Sequence, residues 1–221
     1  MATTVEAKSR DQASPPAAPA TPWYQARQRQ IVAALMVLAA AAIVGWFVLD
    51  SGKRKEEFAA RSLSQARAAA EAGNLPLASS ELQRLITTYK GTDAASEAVV
   101  TLNQVRMVNG QSELAAVGLK EYLATKPPAK YAAPASGLLG AALENSKQWA
   151  DAGNAYLQAS NAADVPYLKA TYLIDAGRAF RQGGKVEEAK RAYRTIVDKY
   201  ADSPSFTEAE VRLAELTDGK M

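Results

Sequence analysis

The sequence has 221 residues, contains neither His nor Cys, and carries 26 Lys and Arg against 23 Asp and Glu. The missing types are the commonest general base, the commonest thiol nucleophile and most soft metal ligands, so composition argues against an enzyme, a metal site or a cofactor. Four of the cations and two of the acids lie in residues 1–49, so residues 50–221 carry 22 Lys and Arg against 21 Asp and Glu. These residues therefore lack the excess of positive charge that is typical of a nucleic-acid-binding domain.

Residues 1–30 form an Ala- and Pro-rich tail that includes Pro15, Pro16, Pro19 and Pro22. Bulky apolar side chains are too few here to offset the conformational entropy that folding removes. We therefore predict that this tail is disordered.

A run of nineteen residues without a charge follows at positions 31–49, IVAALMVLAAAAIVGWFVL. As a helix it would be about 28 Å long, close to the hydrocarbon thickness of a bilayer, about 30 Å. Trp23 and Tyr24 precede it, and cations flank both ends, as is typical of a segment that crosses a membrane interface. We predict a transmembrane helix over residues 31–49 and a linker over 50–57.

Two alternatives remain for this apolar run. A cleaved signal peptide could end at the small residues Ala40, Ala41 and Ala42, although the run continues past them. A buried core helix is the other, although nineteen apolar residues exceed its usual length. Charge does not fix the orientation, because Arg27 and Arg29 lie on one side and a Lys-Arg-Lys run at 53–55 on the other.

A fourfold repeat with a period of 37 residues organises the remainder. Each copy has a turn residue, an Ala five positions later and a large apolar residue nine positions later. The turn positions are Gly73, Gly110, Lys147 and Gly184; the Ala positions are Ala78, Ala115, Ala152 and Ala189; the large residues are Leu82, Leu119, Tyr156 and Tyr193.

A second apolar stripe precedes each turn, with residues three and four positions apart. It is clearest in the fourth copy as Leu173, Ala176, Gly177 and Phe180, and the second copy has Asn103 where a small residue is expected. We therefore predict an all-α fold: four helix pairs over residues 58–216, the last closed by a helix over 206–216, and a flexible end at 217–221. The residues expected to pack the pairs together are Ala78, Leu82, Ala115, Leu119, Gly140, Ala152, Tyr156, Gly177, Phe180, Ala189 and Tyr193.

The spacing of Leu173, Ala176, Gly177, Phe180, Gly184, Ala189 and Tyr193 resembles the tetratricopeptide repeat (TPR), most closely in the fourth copy and least in the first. The standard unit has about 34 residues, so we place the extra residues in loops between the pairs, at 89–93, 125–133, 161–166 and 200–205. The resemblance implies an α-solenoid that binds proteins on its concave face.

The whole architecture, a tail, one apolar helix and degenerate repeats, also resembles the YfgM-like ancillary subunit family of the SecYEG translocon. That resemblance implies a single-pass protein of the inner membrane, with the repeat domain in the periplasm. Its partners would be the translocon, a chaperone or exported chains. The last unit is also similar to repeats of the envelope proteins BamD and CpoB.

The first helix of each pair should line the concave face with side chains that point away from the second helix. Counting from the repeat register, these are Leu63, Arg67, Val100, Gln104, Met107, Glu144, Ile174, Arg178 and Arg181. Such a mixed lining suits an extended segment of an unfolded polypeptide. The Lys and Asn clamp with which some repeats of this family grip a terminal carboxylate does not match these positions.

Other motifs in the fourth copy carry no chemistry that we can assign. Glu187 and Glu188 are adjacent and so point to different sides of a helix, which favours first-turn acids over a catalytic pair. Gly183, Gly184 and Lys185 lack the spacing of a phosphate-binding loop. The stretch 178–199 holds seven cations and three acids, which indicates a solvated surface or a patch for acidic partners.

Three binding or structural functions remain open from the sequence, beside a fourth, an enzyme with an unusual site, for which the composition offers few residues. The first is an adaptor on the envelope side that binds other polypeptides. The second is a structural scaffold of a membrane complex, acting through its convex face. The third is the same adaptor facing the cytoplasm. We expect no small-molecule substrate.

Overall fold

The computed structural model describes residues 27–217, and within them it contains nine α-helices and no β-strand. In chain order the helices are α1 Gln28–Glu71, α2 Leu75–Thr88, α3 Asp93–Val108, α4 Ser112–Ala124, α5 Ala129–Asn145, α6 Trp149–Ala162, α7 Pro166–Gln182, α8 Val186–Lys199 and α9 Phe206–Thr217. The predicted all-α class with four helix pairs and a closing helix is confirmed. The predicted tail over 1–30 lies almost wholly outside the described residues, as does most of the predicted flexible end.

The described residues divide into two units, of which the first ends at Asp50. Within this unit α1 carries the apolar run, whose large side chains are exposed: Val37 by 68%, Trp46 by 68% and Phe47 by 66%. Among the described residues, α1 is the one helix long and apolar enough to cross a membrane. The predicted transmembrane segment is thus helical, with its side chains facing outward.

The second unit, Ser51–Met221, holds the repeats. Residues 50–57, the predicted linker, are helical and continue α1. The Glu56 carboxylate accepts hydrogen bonds from the backbone N–H groups of Asp93 at 2.9 Å and Ala94 at 2.8 Å. Because the first N–H groups of a helix have no partner within it, this acid caps α3 from a neighbouring helix.

The turns inside the four pairs share one geometry. The turn residues Gly73, Gly110, Lys147 and Gly184 all have positive φ, between +59° and +77°. After each, the next N–H bonds the carbonyl five residues back, as from Gln148 to Leu143 and from Lys185 to Phe180, both at 2.8 Å. This is the Schellman motif, which satisfies helix carbonyls that would otherwise lack a donor. The positions that repeat in the sequence are therefore the left-handed positions of the turns.

We expect Gly184→Ala to lower the free energy of unfolding by about 1 kcal/mol, because a side chain is strained in the left-handed region. Lys147→Ala is the matched control, since Lys147 already has a Cβ at φ +59° and its side chain is exposed. Urea denaturation followed by circular dichroism measures both. Equal losses in the two variants would mean that the turn geometry does not decide stability here.

Two predicted loops are clearly shorter than expected: the one over 161–166 spans 163–165, and the one over 125–133 spans 125–128. The loop over 125–133 ends at residue 128, because Pro128 occupies the position just before α5 and Ala129 is already helical. The prolines therefore mark the start of a helix, where a missing N–H costs nothing.

Small residues on one helix accommodate rings on the next. A Cβ built on Gly140 would lie 2.7 Å from the Tyr156 ring, and one on Gly177 would lie 2.4 Å from the Tyr193 ring. The equivalent positions in the first pair hold Ala66 and Leu82, both fully buried. Where the first helix has Gly instead of Ala, the second helix thus has Tyr instead of Leu. The larger ring fills the space that the smaller residue leaves between the helices. All eleven predicted packing residues are buried.

Candidate protein-binding surface

The first helices of successive pairs meet through charged side chains. Here the first helices are residues 51–71 of α1, then α3, α5 and α7, with α9 following. Arg67 pairs with Glu97 at 2.5 Å, Glu144 with Arg178 at 3.1 Å, and Arg181 with Glu215 at 2.7 Å. We call the surface that carries these pairs the A-helix face.

The predicted binding residues fall into two groups in the structure. Leu63, Val100 and Ile174 are exposed by 4%, 9% and 7%, so they pack between helices instead of projecting outward. The polar side chains lie further out: Gln104, Arg178 and Arg181 are exposed, while Arg67, Met107 and Glu144 are half-buried. These three residues occupy one position of the 37-residue repeat, where the third copy has Gly137, and that position is buried in all four copies.

Sequence reasoning missed the acids that pair with the predicted cations, including Glu97, Asp175 and Glu215. Asp175 lies 3.0 Å from Arg178 on the same helix. The pairs Glu144 with Arg178 and Arg181 with Glu215 are each separated by 34 positions, which is one repeat less about one helical turn. Opposite charges at that separation were the signal that could have identified them.

Grooves of opposite lining charge lie at the two ends of the A-helix face. One, of about 560 Å³ near the first two pairs, is lined by the acids Glu56, Glu71, Asp93 and Glu97, with Arg67 as its cation. The other, of about 420 Å³ at the last pair, is lined by Arg178, Arg181, Gln182, Tyr193 and Arg212. We call the second one the arginine pocket. An extended ligand along this face would meet acids at one end and cations at the other.

A network of three side chains joins the third pair to the fourth: Tyr156 is buried, Glu144 is half-buried and Arg178 is exposed. The Tyr156 hydroxyl donates to Glu144 Oε2 at 2.8 Å, and Arg178 donates to the same oxygen at 3.1 Å. Burial raises the pKa of Tyr156 above its ordinary range, and the hydrogen bond to Glu144 adds to this. The phenol therefore stays a neutral donor, and Glu144 is held in place for Arg178.

The remaining motifs of the fourth copy are structural. Glu187 and Glu188 lie in the first turn of α8 and pair with Lys190 at 2.9 Å and Arg191 at 3.8 Å. Gly183 and Gly184 form the turn between α7 and α8. Exposed pairs three positions apart stabilise a helix only slightly.

The stability of the repeat domain should fall with acid, with two opposing contributions. The hydrogen bond from Arg181 lowers the pKa of Glu215 below its ordinary 4.5, so the stabilisation is present above that value and is lost as pH falls through the folded pKa. Burial raises the pKa of Asp175 above 3.8, so the folded state binds this proton more readily than the unfolded state does. The contribution of Asp175 to the free energy of unfolding therefore increases as the pH falls.

Between about pH 6 and pH 3 we therefore expect Glu215→Gln to lose less stability than the wild type, and Asp175→Asn to lose more. Denaturant titrations at both pH values measure the difference. A shift of the two variants in the same direction would contradict these assignments.

Comparison with known proteins identifies the repeat and the fold. Residues 173–203 match the family model of the tetratricopeptide repeat. No curated protein is significantly similar to the chain in sequence. Among solved structures, the chain is similar to a kinesin light chain candidate of Podosopora anserina, whose TPR-like repeats are nearly identical to one another. The sequence identity is 17% and the TM-score is 0.56, over 72% of this chain and 85% of that one.

A point variant of the same repeats gives 18% identity and a TM-score of 0.54, covering 72% of this chain and 84% of that one. At such identities the similarity establishes the fold alone. The chain therefore carries a recognisable tetratricopeptide repeat in its fourth helix pair, within a TPR-like solenoid.

Proposed function

We propose that this protein is a membrane-anchored adaptor that binds other polypeptides along its A-helix face and catalyses no reaction. The observation that carries the proposal is the open, mixed lining of that face. The exposed Ala60 and Ala68 lie beside Arg67 and Glu97 in one groove, and Val108, which is 76% exposed, lies beside Gln104 in an adjoining groove of about 360 Å³. Apolar and polar side chains together suit an extended chain segment with modest sequence specificity.

The exposure of the apolar run supports an anchor. A soluble chain rarely leaves so long a stretch of large apolar side chains open to water. A buried core helix, one of the alternatives, would require the opposite burial, and none of the apolar window of α1 is buried. We propose that residues 31–49 cross the membrane.

Alkaline carbonate extraction of membranes tests the anchor. We expect the full chain to stay in the membrane pellet. Release into the supernatant, with the run intact, would remove the anchor from the proposal while leaving polypeptide binding open.

The location follows from the architectural resemblance. We propose the inner membrane, with the repeat domain in the periplasm and partners among the translocon, chaperones and exported chains. A C-terminal alkaline phosphatase fusion tests the orientation, because that enzyme is active only after export. An inactive fusion at normal expression would place the same adaptor in the cytoplasm.

Photo-crosslinking in membranes tests the binding face. A photoreactive residue at Gln104, exposed on α3, should capture polypeptides, whereas one at Glu121, exposed on α4, should not. Both replace exposed polar side chains, so neither should disturb folding. Capture from Glu121 alone would favour a scaffold that acts through its other face.

A further inference from the structure

The third and fourth helix pairs place the same ring in different electrostatic surroundings. A shift of 37 positions maps Glu144, Tyr156 and Arg178 onto Arg181, Tyr193 and Glu215. The charges on the first helices are thereby exchanged. Arg181 Nη1 donates to Glu215 Oε2 at 2.7 Å, so this pair of residues forms an ion pair, as Glu144 and Arg178 do. Here, however, the carboxylate belongs to the following helix, α9, and the residue at the position of Glu144 is an arginine.

The Tyr193 hydroxyl consequently lacks the acceptor that Tyr156 has. The two rings are placed alike, since each lies over a glycine of the preceding helix with no room for a Cβ. Tyr193 lines the arginine pocket, and its hydroxyl makes no hydrogen bond within residues 27–217; unlike the Tyr122 hydroxyl, it is not among the fully buried groups that lack a partner. The nearby Arg181 cannot replace Glu144 as the acceptor for the O–H group, because a guanidinium has only donors.

The arginine pocket has donors to spare. Its lining consists of three guanidinium groups, the Tyr193 phenol and the Gln182 amide. Arg181 uses one N–H on Glu215, and Arg212 reaches Glu208 and Glu215 only at 3.6 Å. Arg178 pairs with Glu144 and Asp175 but stays half exposed, as do the other two. Each guanidinium carries five N–H donors, so several remain for a ligand.

We propose that the arginine pocket binds an Asp or Glu side chain of a partner polypeptide, whose carboxylate accepts from the Tyr193 hydroxyl and from Arg181 or Arg212. The carboxylate would take the place beside Tyr193 that Glu144 takes beside Tyr156. Charge-assisted hydrogen bonds to guanidinium groups are the strongest that such a site offers. This inference rests on the proposed function and specifies which polypeptides the last pair favours.

Fluorescence anisotropy on the full chain in detergent tests the pocket. The probes are a short labelled Glu-Ala alternating peptide and its Gln-Ala counterpart, both amidated, and the Gln-Ala peptide with a free C-terminal carboxylate. We expect the Glu peptide to bind roughly tenfold more tightly than the amidated Gln peptide. Tyr193→Phe should remove most of that preference, whereas Tyr167→Phe should leave it unchanged, because Tyr167 is 54% exposed near the start of α7 and does not line the pocket.

The decisive variant is Arg181→Glu/Glu215→Arg. It keeps the net charge and the ion pair but gives Tyr193 an internal carboxylate in the arrangement of the third pair. We expect a folded protein that no longer distinguishes Glu from Gln peptides. A preference that persists in this variant would reflect general charge attraction and would overturn the inference.

The remaining outcomes separate the two proposals. Equal binding of all peptides overturns the carboxylate pocket and leaves polypeptide binding standing. A preference for the free C-terminus alone overturns the assignment to acidic side chains. If neither the peptides nor an unfolded protein binds, the proposed function and this inference fail together.

Discussion

Replacing Tyr193 by Ala should lower the free energy of unfolding by about 3–5 kcal/mol. The ring is 1% exposed and belongs to the larger of two core clusters, where it lies against Gly177. Removing it takes away its apolar contacts and leaves a cavity that two rigid helices cannot close. Urea titration of the full chain in detergent, followed by far-ultraviolet circular dichroism, measures the loss.

Tyr167 provides the matched control, because it is a tyrosine of the same helix pair with 54% of its surface exposed. Tyr167→Ala should cost less than about 1 kcal/mol. Enlarging the fully buried Ala189 to Leu tests the same contact from the other side and should cost about 1–3 kcal/mol by overpacking. Silent changes at both Tyr193 and Ala189 would show that the repeat register is wrong.

Gly177→Ala should also destabilise the protein, by about 1–2 kcal/mol. The added methyl would lie 2.4 Å from the Tyr193 ring, which has no space to retreat, and overpacking of this kind costs about 1–3 kcal/mol. Alanine's higher helix propensity offsets up to about 1 kcal/mol of that loss. Gly52→Ala is the control, since nothing lies within 4 Å of a Cβ there, and it should be neutral or stabilising.

The double variant Gly177→Ala/Tyr193→Leu reproduces the small-and-large combination of the first pair, Ala66 with Leu82. If Gly177 is needed to make room for the ring, the two substitutions should compensate. The loss of unfolding free energy in the double variant should then be smaller than the sum of the two single losses, by at least about 1 kcal/mol. Simple additivity would mean that glycine and ring are independent.

The helix pairs could be predicted because the features that fix them are local and recur. A left-handed turn residue, a close-packing Ala and a bulky partner each have a fixed place in the 37-residue period. Even the first copy, the most divergent in sequence, keeps Gly73 in the turn and buries Ala78 and Leu82 completely. Few other arrangements would satisfy turn chemistry and packing together.

The details of the binding face could not be predicted in the same way. Helical periodicity shows which side of a helix Leu63, Val100 and Ile174 occupy, but the angle to the neighbouring helix decides whether that side is open or covered. Ion pairs such as Arg181 with Glu215 depend on that same angle: a separation of 34 positions marks two charges as candidates, and the helix angle decides whether they meet. The unpaired hydroxyl of Tyr193 emerges only when two helix pairs are compared in three dimensions.

The linker shows a related limit. Residues 50–57 have mixed charges and no apolar stripe, so the sequence favours a connection between two parts. The use of Glu56 as a cap for α3 depends on a helix start that lies 37 residues further along the chain. A capping acid contributed by another helix leaves no local signature.

The affinity of the full chain in detergent for an unfolded protein tests the proposed role most directly. The ligand is reduced, carboxymethylated lactalbumin, which cannot refold, with native lactalbumin as its folded counterpart. Polypeptide binding along the A-helix face predicts a Kd of roughly micromolar order for the unfolded form and none measurable for the native form. Failure of the unfolded form to bind, or equal binding of the two forms, would contradict it.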